Sequence, residues 1–145
     1  MIDSTLTFAL NTKAIIDDAK GALGLKDVYY ADQNRIPRTP AVCVEPAEKT
    51  RELNGAPRRA LTIMRVYILV YHNPITSSQV AAQETDSLTE ALETVLHADA
   101  HMNGTVIDSM VKTIEYGYAQ RNNSLFRTSR LLFEARSQAI LPSSL

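Results

Sequence analysis

RALTIMRVYILVYH, residues 59–72, decides the fold. Met64, Val66, Ile68 and Val70 fall on one side of a two-residue repeat, and Arg65, Tyr67, Leu69 and Tyr71 fall on the other, the alternation of a β-strand. Towards its C-terminal end both sides are largely apolar, so this strand belongs in the middle of a sheet, covered on both faces. Asn73-Pro74 ends it. Upstream, AVCVE (41–45) is a short strand with Val42 and Val44 on one face, stopped by Pro46. Downstream, TVIDSMVKTIEYGY (105–118) places Met110, Ile114 and Tyr116 on one face. LFRTSRLLFEA (125–135) alternates Leu131, Phe133 and Ala135 against Arg130, Leu132 and Glu134, with a turn at 120–123 between these two strands.

Two helices frame the strands. Asp3 or Ser4 caps the first, which runs to about Leu23 with Phe8, Ile15, Ile16, Ala19 and Leu23 on one face and Gly21 and Gly24 as stop signals. Thr76, Ser77 or Ser78 caps the second, which runs to about His97. Leu88, Ala91, Leu92, Val95 and Leu96 form its buried stripe, and Glu84, Glu90 and Glu93 lie on the exposed side. The stretch 25–40 reads as irregular, kept extended by Pro37 and Pro40. The expected architecture is α+β: one mostly antiparallel four-stranded sheet with two helices packed on one face, in the order α-β-β-α-β-β. Arg65, Tyr67, Thr113, Glu115 and Arg130 make the other face semi-polar, which suits an oligomer contact or a lumen.

A chain of 145 residues is read as a single domain, 1–145, large enough for a core without disulfide or metal staples. Within it, 46–59 is polar and charged, with a turn at Asn54-Gly55, and reads as a projecting arm or hairpin. Residues 137–145 read as a loose tail. The lone Cys43 sits in an apolar strand as a small core residue. No basic leader precedes an apolar stretch at the start, and the apolar runs are too short to span a bilayer, so no membrane partner is expected.

The net charge is −1, but it is segregated: residues 35–65 carry +4, 66–111 carry −6 with no Lys or Arg, and 112–145 carry +3. Segregated charge suits head-to-tail contact between copies, and it equally suits neutralisation within one fold. Chemistry is poorly represented. There is no GxSxG and no glycine-rich phosphate loop. HADAH (97–101) spaces two histidines as metal ligands on a helix, but the helix ends there and no third ligand follows; two titratable groups at a helix end is the simpler account. Arg58-Arg59 and the group Arg121, Arg127 and Arg130 lack the interleaved aromatics that stack bases, leaving only sequence-blind attraction to DNA.

TPAVCVEP (39–46), the polar stretch ending in Arg58-Arg59, IMRVYILVYH (63–72), SLTEALETVLHADAHMNG (87–104) and IEYGYAQRNNSLFRTSRLLFEA (114–135) together resemble, over about residues 5–136, the tail terminator (tail completion) proteins of long-tailed bacteriophages. The resemblance implies a structural virion protein of the neck, made in the host cytoplasm. It forms a hexameric ring that caps the head-proximal end of the tail tube, ends tube growth and joins the tail to a neck or head-closure protein, with DNA passing through the lumen. It implies no catalysis, cofactor or metal. The expected partners are copies of the chain, the tail tube protein and the neck protein. Arg51, Glu52, Arg58, Arg59, Arg121, Asn122, Arg127 and Arg130 are the expected interface residues, set against the acidic Glu84, Asp86, Glu90 and Glu93. A head-closure or head–tail joining protein is the nearest alternative. A small ligand-binding or metal-dependent domain built on His97, Asp99 and His101 is a more distant one.

Overall fold

The computed structural model describes residues 1–53, 59–74 and 78–140. β3 (Arg59–Pro74) is the central strand of a five-stranded sheet of order β1-β2-β3-β5-β4. It pairs antiparallel with β2 (Ala41–Leu53) on one side and β5 (Ser124–Ile140) on the other. β4 (Asp108–Arg121) pairs antiparallel with β5 at one edge, and β1 (Asp27–Tyr30) runs parallel to β2 at the opposite edge. A two-residue turn joins β4 to β5. Its residues, Asn122 and Asn123, hold φ values of 50° and 68°, a left-handed conformation that asparagine tolerates better than most residues.

α1 (Thr5–Asp18), the short α2 (Lys20–Leu23) and α3 (Ser78–His97) complete the chain. Ser4 caps α1 by accepting a hydrogen bond from the Thr7 amide at 3.2 Å, and Gly24, at φ 70°, closes α2 as a left-handed C-cap. α1 covers the β1–β2 half of the sheet and α3 the β5–β4 half, and both reach over β3. Between helices and sheet, Phe8, Ile16, Leu92 and Leu96 meet Val42, Val44, Met64, Val66, Ile68, Leu131 and Phe133, all buried. The Phe8 and Phe133 rings lie 5.4 Å apart. Inside this layer Thr89 Oγ1 and Ser129 Oγ share a 2.6 Å hydrogen bond that ties α3 to β5. On the other face a smaller cluster forms from Ile36, Ala41, Cys43, Tyr71 and Phe126.

The structure departs from the sequence expectation at five places along the backbone, and Ala91, expected in the buried stripe of the second helix, is exposed. A fifth strand, β1, lies in the stretch expected to be irregular. Val28 packs its side chain against the core and Leu25, two residues ahead of the strand, is buried in it, and Pro37 and Pro40 fall in the crossover that returns the chain to β2. The first helix divides at Ala19 into α1 and α2. β2 does not stop at Pro46; a bulge between Pro46 and Glu48 absorbs the missing donor and the strand continues to Leu53. The far half of the β2–β3 hairpin therefore occupies the expected arm, while Asn54-Gly55 and Arg58 lie outside the described residues. A second bulge, between Val111 and Thr113, turns Met110 to the face opposite Ile114 and Tyr116. Finally, β5 runs on through Ile140, so residues 137–140 of the expected loose tail pair with Arg59–Thr62. Residues 141–145 lie outside the described residues.

Candidate assembly surfaces

The hairpin arm is held towards its outer end by the N-terminal residues. Arg51 reaches the Asp3 carboxylate at 2.5 Å and the Thr62 hydroxyl donates to it at 2.6 Å. Lys49 donates to the Asp3 carbonyl, and Ser137 donates to the Ile2 carbonyl. Burial alone would raise the Asp3 carboxyl; the hydrogen bonds from Thr62 and Arg51, with the Lys49 charge, outweigh it and hold the group below the usual carboxylate range. Arg51, expected to meet a neighbouring molecule, has this partner within the chain. Glu52 and Arg59 are exposed and make no ion pair among the described residues.

On the sheet face away from the helices, alternation brings cations and carboxylates of adjacent strands together. Arg121 pairs with Asp32 at 2.6 Å and lies over the Tyr71 ring, whose hydroxyl donates to Asp32 at 2.6 Å. Burial, and then the Asp32 carboxylate, push the Tyr71 phenol well above its ordinary value. Arg130 pairs with Glu115 at 2.7 Å and stacks on Tyr67 at 4.6 Å. Arg65 pairs with Glu134 at 2.8 Å and Glu48 at 3.3 Å. A shallow groove of about 280 Å³ lies among Asp32, Glu45, Tyr67, Tyr71, Arg121 and Arg130. Asn122 stands exposed at the turn beyond it.

The third surface is the side of α3 that borders β4. Asp86, Glu90, Glu93 and His97 fall on one stripe at helical spacing. The stripe is anchored by His97 Nε2, which accepts from the Val111 amide of β4 at 2.9 Å. Tyr116 of β4 lies beside it, its phenol raised first by burial and then by the charges of Asp86, Glu90 and Glu93. Arg127 stacks on Tyr116 and Tyr118 at 5.8 and 5.1 Å. Glu84 is set apart from this stripe, bonded to His72 Nε2 of β3 at 2.8 Å. The four expected acids thus divide into one that ties α3 to the central strand and three that line the side of α3 bordering β4.

The remaining chemical candidates have structural duties. His101 Nδ1 donates to the Ile107 carbonyl at 2.7 Å, and Asp99 accepts from the His101 and Asn103 amides in the loop after α3. His97 and His101 are therefore committed to different partners, and no group of three or more His, Cys, Asp or Glu side chains is arranged to hold a metal ion among the described residues. Cys43 is fully buried, and burial pushes its thiol up to about 12. Sequence reasoning missed Asp3 as the hairpin's anchor, because a contact to residues 51 and 62 leaves no local signal. It also missed Lys20, Lys26 and Arg35, which make no ion pair among the described residues. No helix among the described residues is long and apolar enough to cross a membrane.

No family model matches the chain, and no curated protein does. The fold is similar to that of a solved chain from the virion of a native gene transfer agent particle. That match has 16% identity and a TM-score of 0.54, and it covers 92% of this chain and 95% of the other. A second solved chain, 17% identical over 99% of both chains, superposes at a TM-score of 0.45, too loosely to carry an argument.

Proposed function

We propose that this protein is a structural subunit of a phage-like virion, a tail terminator that forms a ring, by expectation a hexamer, on the head-proximal end of the tail tube. The ring ends tube polymerisation, meets a neck or head-closure protein on its other side and leaves a lumen for DNA. The observation that carries this reading is the end-to-end likeness of fold to a chain of a gene transfer agent virion, nearly the full length of both chains. The surfaces support it. The far half of the β2–β3 hairpin leaves most of residues 46–53 exposed, and it is stiffened by Asp3 at the Arg51–Thr62 rung and flanked by β5. A stiff arm costs less entropy on docking than a floppy one.

A non-enzymatic role fits the same geometry. The Cys43 thiol is sealed in the sheet, and Tyr71, Asp32 and Arg121 satisfy one another. Native mass measurement of the purified chain, alone and with tail tube subunits, tests the proposal. A closed ring that binds tube protein is the expected result. A chain that stays monomeric at high concentration with tube subunits present overturns it, and a ring that binds portal or adaptor protein in place of tube protein moves the assignment to head closure.

A further inference from the structure

We infer that the two opposite flanks of the sheet are the two halves of one subunit–subunit contact: the acidic α3–β4 flank of one copy docks on the basic α2–β1 flank of the next. The inference rests on the ring-forming role proposed above and names the surfaces that would build the ring.

Once the intrachain pairs are formed, a small set of charges is left over. Among the described residues Lys20, Lys26, Arg35 and Arg59 are the cations in neither an ion pair nor a ring-stacking contact. The first three lie together in the chain around β1: Lys20 in α2, Lys26 directly before the strand and Arg35 in the crossover after it. Lys20 is close enough to Asp27 of β1 for its charge to favour the ionised carboxylate, and Asp27 itself is neutralised by Arg38 at 2.5 Å. Asp18 and Glu45 are the acids without an ion pair on this side, and the Glu45 carboxylate accepts from the Asp32 amide at 3.2 Å. Asp86, Glu90 and Glu93 also lack an ion-pair partner among the described residues, and they line the α3 side that borders β4. β1 and β4 are the two edges of the sheet, so the charge left over is net positive on the β1 flank and net negative on the β4 flank.

Each flank also exposes apolar surface beside its charges. Tyr116, Tyr118 and Leu125 are 45%, 54% and 49% exposed near β4, and Leu6 and Leu10 of α1 and Tyr30 of β1 are 52%, 46% and 38% exposed on the other side. Association surfaces commonly set aromatic and apolar side chains beside charged ones. A two-fold contact through either flank would set like charge against like charge, whereas a head-to-tail contact joins unlike flanks and propagates into a ring. The occupant of each flank is therefore a second copy of this chain.

Charge exchange tests the pairing, read by sedimentation and native mass measurement at low ionic strength. Glu90→Lys/Glu93→Lys on one flank, or Lys20→Glu/Lys26→Glu on the other, is expected to weaken self-association about tenfold or more. Mixing the two variants sets lysine-bearing α3 against glutamate-bearing β1 flanks and the native pair against each other. Rings of alternating subunits should therefore return, and the fourfold variant in one chain should assemble alone. Flank variants that assemble like the unmodified chain, or a mixture that stays dissociated while the unmodified chain forms rings, overturn the flank assignment and leave the ring reading standing. An unmodified chain that stays monomeric overturns both.

Discussion

Asp3 gathers more of the hairpin's stability than its place near the chain start indicates, because one carboxylate takes hydrogen bonds from Thr62 and Arg51 on two neighbouring strands. Asp3→Ala leaves the Thr62 hydroxyl unpartnered in a buried position, and the expected loss is about 1–3 kcal/mol, measured as a lower urea midpoint with an unchanged slope. Asp3, Asp27 and Asp108 all titrate below the ordinary 3.8 in the folded chain. Their contribution is therefore complete above that value and lost as the pH falls through the lower folded values. Removing Asp3 should accordingly flatten the acid limb of a stability–pH curve. Cys43 has the opposite sign. Its thiol moves from 9.0 to about 12, so the folded form holds its proton longer and stability declines as pH rises from about 9 towards 12. At pH 8 a chromogenic disulfide should leave Cys43 unmodified until denaturant opens the sheet, since the thiolate is the reactive form.

Elements meet through a few contacts that decide their relative placement. α3 is tied to β5 by the Thr89–Ser129 hydrogen bond, both side chains fully buried. Thr89→Val should cost about 1–3 kcal/mol by leaving Ser129 unsatisfied, and adding Ser129→Ala should recover part of it; thermal unfolding of the two single variants and the double variant gives the coupling. Phe133→Ala removes the ring that faces Phe8 and should cost about 3–5 kcal/mol, read in the same experiment. The bulge in β4 has two consequences. It brings Ile114 and Tyr116 to the helix side after Met110 has faced away. It also places Lys112 on an edge strand that would otherwise offer an uninterrupted ladder to a stray chain. The bulge at Pro46 likewise lets β2 continue into the hairpin, where a regular strand would have ended.

For the whole molecule, the distribution of charge matters more than its sum. Pairs such as Arg121 with Asp32 and Arg130 with Glu115 neutralise the face that the sequence marked as semi-polar. Three of the cations left over, Lys20, Lys26 and Arg35, lie around β1, and three of the acids left over, Asp86, Glu90 and Glu93, lie beside β4. If copies join through these flanks, the dissociation constant of the ring should rise with ionic strength, because exposed charges are screened over about 10 Å at 0.1 M salt; sedimentation across a salt series checks this. By itself the sequence determined the central strand, the two main helices, the helix side of β3 and β5 and the α+β class, because side-chain periodicity is a local property that burial on one face imposes residue by residue. β1, the two bulges, the Asp3 anchor and the partners of Arg51 and Arg121 were decided only by tertiary structure. A four-residue parallel strand, a register shift and an ion pair between residues 32 and 121 are contacts between distant segments, and their energy appears only when the sheet has brought those segments together.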